Sequence, residues 1–438
     1  MKITDTFYKL FKGPHTAPFT YADEILPKGI VSQEELRAIS NSLELYRAAS
    51  LSSDSQTLEL ASSISSELAR LTVAEFSCSF SDKRADSFFE KSFAPFLSRM
   101  RIYTEYACAS GGVIFKPFFD GQKLSAECIL PFNFIPLEAD GTGKLVSCAF
   151  VYTKKKDKTY FTRIEEHRRT EKGYQVTNRA FSSEQGFFRG KEAALSEISE
   201  WKNISPIIFI ENLKTPLFAY FGMPIGNFSF PASPLGAPIF RRAETLIKQA
   251  DEQYKRLLWE FEGGELAIDA SEDAFRIGKN GKPELPPGKE RLYRSNCLDA
   301  CSSTTPLFTT FAPALRDKSY INGLNRIIML VEDACGIARG TFSDPSEIAR
   351  TATEVRAMRQ KTYSTVCSIQ ESLKTALYEL FDAANIISRL YSLTHKDAQP
   401  KIKFGDSVLG DAQYDREAER EDVKCGIISP ETFKERWY

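Results

Sequence analysis

Apolar and polar positions alternate at helical spacing over residues 32–49 and 55–71, and Ser32 with Glu35 forms the Ser-x-x-Glu pattern of a capping box. Two N-terminal helices are predicted. A third is predicted over 83–108, where Phe88, Phe89, Phe93, Phe96, Leu97, Met100 and Tyr103 recur at helical spacing and Pro95 introduces a kink. From residue 109 the period changes. Residues 113–119, 124–130, 144–153, 159–167 and 173–178 read as strands of one antiparallel meander, separated by Asp120-Gly121, the run 140–143 (Asp-Gly-Thr-Gly) and 154–158.

A stretch rich in Pro and Phe, with Pro216, Pro224, Pro231, Pro234 and Pro238, leads into a polar-rich helix over 239–261 that Gly263 and Gly264 terminate. Residues 264–313 form an insert with short strands at 265–269, 275–277 and 290–293. A second helix over 314–338 follows, with Gly336 and Gly340 at its end. The fold class expected from this order is α+β.

The strongest periodicity lies in residues 351–393. Val355, Met358, Thr362, Val366, Ile369, Leu373, Leu377, Leu380, Ala384, Ile387 and Tyr391 recur in ten steps over 36 residues, or 3.6 per step. That is the period of a straight helix packed on other parts of a protein; a coiled-coil seam keeps 3.5. The run Thr351-Ala-Thr-Glu supplies a capping box, and Asp344-Pro345 an earlier start. At about 1.5 Å per residue the helix extends on the order of 60 Å, more than an ordinary domain requires. A strut linking several domains is therefore preferred over a core helix of a large α+β enzyme.

Composition narrows the class. The 438 residues carry 57 basic and 58 acidic side chains, a net charge of -1, so a tight nucleic-acid binder with a basic groove is disfavoured. Nine cysteines are scattered singly, which fits reduced thiols rather than a disulfide framework. The first residues lack a secretory pattern and no apolar run reaches membrane-spanning length, so a soluble protein is expected.

No catalytic constellation is visible. His15, His167 and His395 are far apart in sequence and are read as surface residues, and neither a zinc triad nor a His-based acid/base pair emerges. Cys297 and Cys301 have metal-like spacing, but no second pair completes four ligands. Residues 278–282 (Gly-Lys-Asn-Gly-Lys) superficially suggest a phosphate loop, yet Pro283 follows and Arg276 stands where the first glycine is required, so they read as a hairpin turn. The charged run 165–169 (Glu-Glu-His-Arg-Arg) reads as a solvated strand face. No cofactor is indicated.

Several stretches, taken in order, carry a resemblance: Gly111-Gly-Val-Ile-Phe-Lys-Pro, Ile129-Leu-Pro-Phe-Asn-Phe-Ile-Pro, Ser233-Pro-Leu-Gly-Ala-Pro-Ile-Phe with Asp251 and Tyr254, Arg350-Thr-Ala-Thr-Glu-Val, and Asp406-Ser-Val-Leu with Asp415 to Glu421. Over most of its length the chain resembles the portal proteins of tailed bacteriophages, closest to the portal or minor capsid group of phages of Gram-positive hosts. The resemblance implies a homo-oligomer, a dodecameric ring at one capsid vertex, through which double-stranded DNA is packaged by terminase, retained and later ejected. It implies a wing of helices and β meander (1–217), a stem lead-in and first stem helix (218–263), a clip (264–313) and a second stem helix (314–339). A tunnel loop (340–350), a long spine helix (351–394), and a strand with a short helical crown (395–438) complete it. Implied partners are major capsid and scaffolding proteins, terminase and the head-tail adaptor, with no membrane; the location is the virion, and the host cytoplasm during assembly.

The first stem helix with the residue after it (239–262) carries five basic and five acidic residues, including Arg241, Lys248, Asp251 and Glu260, too polar for a buried helix and suited to a ring. DNA must slide through a channel, so lumen contacts are expected to be sparse and independent of sequence. Lys318, Asn322 and Arg326, at helical spacing, and Ser343, Glu347 and Arg350, in the loop, are the candidate DNA-channel residues. Two rival classes are a head-completion or scaffolding protein without a DNA channel and a cytoplasmic hydrolase with an unrecognised carboxylate site.

Overall fold

The computed structural model of the chain describes residues 27–47, 56–80, 85–184, 191–271, 308–345, 352–394 and 396–405. It also describes short pieces at 276–277, 283–284, 292–296, 420–421, 423–425, 429 and 433. The fold is mixed α+β.

Helix α1 (Gln33–Tyr46) begins where the Ser32 hydroxyl accepts the Glu35 amide at 3.2 Å. The Glu35 carboxylate turns away from the cap and instead accepts from Asn227. Helix α2 (Leu60–Thr72) starts five residues later than its periodicity suggests, because Glu59 takes a left-handed conformation (φ 53°) that cannot continue a helix. Strand β1 (Ser77–Phe80) follows. The single helix expected over 83–108 is two, α3 (Ala85–Leu97) and α4 (Met100–Ser110). Pro95 removes one backbone donor, and the chain after it tightens, the Arg99 amide reaching only back to Phe96.

The expected meander divides into two sheets. Strands β2 (Gly112–Phe119) and β3 (Leu124–Ile129) pair antiparallel; a 3-10 turn over Pro131–Asn133 then redirects the chain. Strands β4 (Phe134–Ala139), β5 (Leu145–Lys156), β6 (Thr159–Thr170), β7 (Gly173–Ser183) and β8 (Lys191–Ala193) form a second sheet, with β9 (Ile207–Glu211) also on β7. Strand β10 (Ala219–Gly222) returns to β2 and completes the first sheet.

The segments around Gly111 and Gly236 meet backbone to backbone. Gly111 sits at φ +89°, and a side chain on either glycine would collide with the other's carbonyl. The Met223 amide donates to the Gly111 carbonyl and the Ile239 amide to the Cys108 carbonyl, while the Tyr220 hydroxyl accepts the Gly236 amide at 2.9 Å.

Helix α5 (Glu244–Gly263) starts beyond Pro238 and a 3-10 turn at Arg241–Ala243, later than expected. The insert contains β11 (Ala267–Ser271), β12 (Arg276–Ile277), β13 (Pro283–Glu284), β14 (Tyr293–Asn296) and β15 (Phe308–Phe311). Strands β12 and β13 pair antiparallel on either side of the predicted hairpin turn, which itself lies outside the described residues, as do Cys297 and Cys301. Helix α6 (Asp317–Ala334) runs back along α5.

Helix α7 (Ala352–Leu390) has 39 residues and coincides with the predicted long helix. Thr362, Val366, Ile369, Leu373, Leu377, Leu380, Ala384 and Ile387 are buried, whereas Tyr391 lies past the helix and is exposed. The buried stripe packs on β2, β10 and α2 rather than on a twin helix. One core includes side chains from α2, α3, β2, α5, α6 and α7. Helices α2, α3, α5, α6 and α7 and strand β2 are thus not independently packed bodies. Finally, β16 (Pro400–Lys403) pairs with β1, and Asn385 on α7 exchanges two hydrogen bonds with Ala398.

Candidate nucleic-acid interface

The α5–α6 hairpin is closed at its insert end by one carboxylate. Glu260 accepts the Arg316 amide and Nε at 3.0 Å and its guanidinium NH2 at 2.7 Å, joining the end of α5 to the start of α6. Hydrogen bonding to Arg316 holds the Glu260 carboxyl below its ordinary value.

Along the hairpin, Lys318, Asn322 and Arg326 are all exposed, four residues apart on one stripe that continues to Leu330. Trp259 (67% exposed), Phe261, Ile321 and Leu330 add large apolar side chains to the outside of the same two helices. A polar stripe and unburied apolar anchors therefore share one structural unit.

The α6 end of that unit is built by helix termination. Gly336 sits at φ +72°, the Ile337 amide donates to the Glu332 carbonyl and the Gly336 amide to the Asp333 carbonyl, the two bonds of a Schellman stop. The chain then crosses to α7. Ala338 donates its amide to the Thr362 hydroxyl at 2.8 Å, and the Thr365 hydroxyl donates to the Gly336 carbonyl at 2.9 Å. Thr362 is the polar member of the predicted apolar stripe, and this bond is its reason.

Ser343, expected in the channel-facing set, is corrected to a buried position. It is 4% exposed, and its hydroxyl donates to Glu332 at 2.7 Å. Glu347 and Arg350 lie outside the described residues.

Sequence reasoning passed over Glu332 and Asn325. They stand seven residues apart on α6, two turns on one face, within the apolar stripe of Leu324, Val331 and Cys335. A lone acid on such a stripe is the signal that could have marked the position.

A second polar cluster lies between the two sheets, and it corrects the reading of Glu165 and Glu166 as solvated and of His167 as a surface residue, while Arg168 of the same run is exposed. Arg163, Glu165 and His167 alternate along one face of β6 and are all buried. Glu165 accepts from Lys116 of β2 at 2.6 Å and from His167 Nε2 at 2.8 Å, and it pairs ionically with Arg163 at 3.0 Å, whose guanidinium donates to Asn178. Lys116 also pairs with Glu127 at 3.1 Å and lies over the Phe150 and Tyr152 rings. On the opposite face, Glu166 holds Arg168 and Arg179. Burial lowers the His167 pKa against the opposing Glu165 hydrogen bond. Burial alone would raise that of Glu165, but Lys116, His167 and Arg163 hold it well below the carboxylate range.

One open groove of about 540 Å³, bounded by Tyr220, Met223, Asn227, Phe230, Leu235 and Ser372 among others, has no carboxylate, lysine or histidine in its wall. Among the described residues there is no grouping of three or more His, Cys, Asp or Glu able to hold a metal ion, and no helix long and apolar enough to cross a membrane. Neither a protein-family model nor a curated protein matches this chain.

Proposed function

We propose that this chain is the subunit of a phage portal, a dodecameric ring at one capsid vertex through which double-stranded DNA is packaged, retained and ejected. The observation that carries the reading is the α5–α6 hairpin, which holds Trp259, Phe261, Ile321 and Leu330 in solvent beside the polar stripe Lys318, Asn322 and Arg326. Large apolar side chains unburied on two neighbouring helices call for a further surface, and copies of the same hairpin around a ring supply it. The polar stripe then faces the DNA path, giving a few contacts that carry no sequence information. The insert between α5 and α6 stands at the hairpin tip, where terminase and later the head-tail adaptor would dock. The remaining surface would meet major capsid and scaffolding proteins. On this account the protein assembles and guides rather than catalyses.

The reading is tested by sedimentation velocity of the purified 49.3 kDa chain. A single closed species of many subunits is expected. A chain that stays monomeric at high concentration and turns over a substrate panel would favour the hydrolase class.

A further inference from the structure

Four donors of the turn after α6 converge on one side chain, Glu332. The Glu332 carboxylate is fully buried. Its Oε1 accepts the amides of Phe342 at 2.6 Å and Ser343 at 3.0 Å; its Oε2 accepts the Ser343 hydroxyl at 2.7 Å and, at 3.1 Å, the Gly340 amide, which the Ser343 hydroxyl also accepts at 2.9 Å. Seven residues earlier on the same face, Asn325 accepts the Asp344 amide at 2.7 Å. The other side of the turn is tied to α7 through Thr362 and Thr365, and Asp333 pairs with both Arg339 of the turn and Lys361 of α7, at 2.5 and 3.1 Å.

A loop whose amides were left to water would behave differently. Four donors on a single desolvated carboxylate form charge-assisted bonds, and loss of the charge leaves buried amides without adequate acceptors. The amides of Gly340, Phe342, Ser343 and Asp344 are therefore all held by side chains of α6. Of the segment 340–350 read from sequence as a tunnel loop, residues 340–344 form this bracket, and 346–350 lie outside the described residues.

We infer that Glu332 is the positioning residue of this bracket, fixing where and in which direction the chain leaves α6 for the DNA path and coupling that point to the long helix α7. This rests on the portal reading for its link to DNA, but the bracket itself does not. A push on the crossing segment is delivered through Asp344 and Ala338 to α6 and α7 together, instead of being absorbed by the turn. Glutamate is required rather than glutamine, since an amide offers one acceptor oxygen and turns a donor toward donors.

The test compares the wild type with Glu332→Gln, Glu332→Asp and Ser343→Ala. In the purified full chain, amide hydrogen exchange at Gly340, Phe342 and Ser343 is expected to accelerate by about tenfold or more in Glu332→Gln, less in Glu332→Asp and least in Ser343→Ala. Subunit assembly should be unchanged, while DNA retained per particle should fall in the same order, with partial rescue by Glu332→Asp. Unchanged exchange in Glu332→Gln would overturn the bracket. Faster exchange with normal DNA retention would overturn its positioning role, and failure of the wild type to form rings would sink the portal reading while leaving the exchange result interpretable. Should Glu332→Gln not fold, Asn325→Ala is to be measured at the Asp344 amide, where unchanged exchange would count against the bracket.

Discussion

At the scale of single residues, the buried charges between the two sheets dominate. Lys116 is 5% exposed at its side chain and touches two carboxylates and two aromatic rings, so Lys116→Met leaves Glu165 and Glu127 short of their cation. Loss of one partner from a buried pair costs about 3–5 kcal/mol, and the urea midpoint should fall accordingly. The same cluster sets a pH dependence. His167 is held below its ordinary value of 6.5, so the unfolded chain binds more protons there, and stability falls as pH drops below that value. Glu165, held well below 4.5, adds a further loss as pH falls through its folded pKa. Lys116, raised above 10.5, contributes stability that is lost as pH rises through its folded value. Denaturant titrations across pH should give a plateau bounded by these losses; a midpoint unchanged between pH 7 and pH 5 would contradict the assignment of His167. The cluster was written in the sequence as Arg163, Glu165 and His167 at a spacing of two. A run of five charged or titratable residues, however, reads as solvent-facing when nothing indicates that a strand is covered on both faces.

Among elements, the long helix was the most legible, because a 3.6-residue period sustained over many turns has few alternatives. Short strands were not: β4 contains Pro136, and β10 has only four residues and pairs with β2, about a hundred residues earlier. The break between α3 and α4 also escaped, since the apolar spacing runs through it and only the tightened turn after Pro95 separates the two. The hairpin was visible as two helices flanking an insert, and Lys318, Asn322 and Arg326 do share an exposed stripe. Ser343 was misplaced because a small hydroxyl near glycines resembles an exposed turn, whereas its partner, Glu332, lies eleven residues earlier. The bracket sharpens a deletion experiment. Removing residues 346–350 alone is expected to keep subunit stability and assembly while blocking DNA packaging or retention. Removing 340–350 also takes away the bracket and should lower the melting temperature as well. Normal packaging after the shorter deletion would contradict the DNA-facing role of this crossing.

For the whole molecule, one core joins α2, α3, the first sheet, the hairpin and the long helix, so these elements pack as a connected body rather than as beads on a linker. On the portal proposal, a net charge of -1 suits a conduit that holds DNA loosely, because each additional phosphate contact would add friction as well as affinity. The exposed apolar residues of the hairpin are the feature a lone subunit leaves unexplained. Electron microscopy of the purified protein tests this account most directly. The account predicts closed rings around a central channel wide enough for duplex DNA, with the α5–α6 hairpins of adjacent subunits in contact; compact particles without a channel, their hairpins facing solvent, would contradict it.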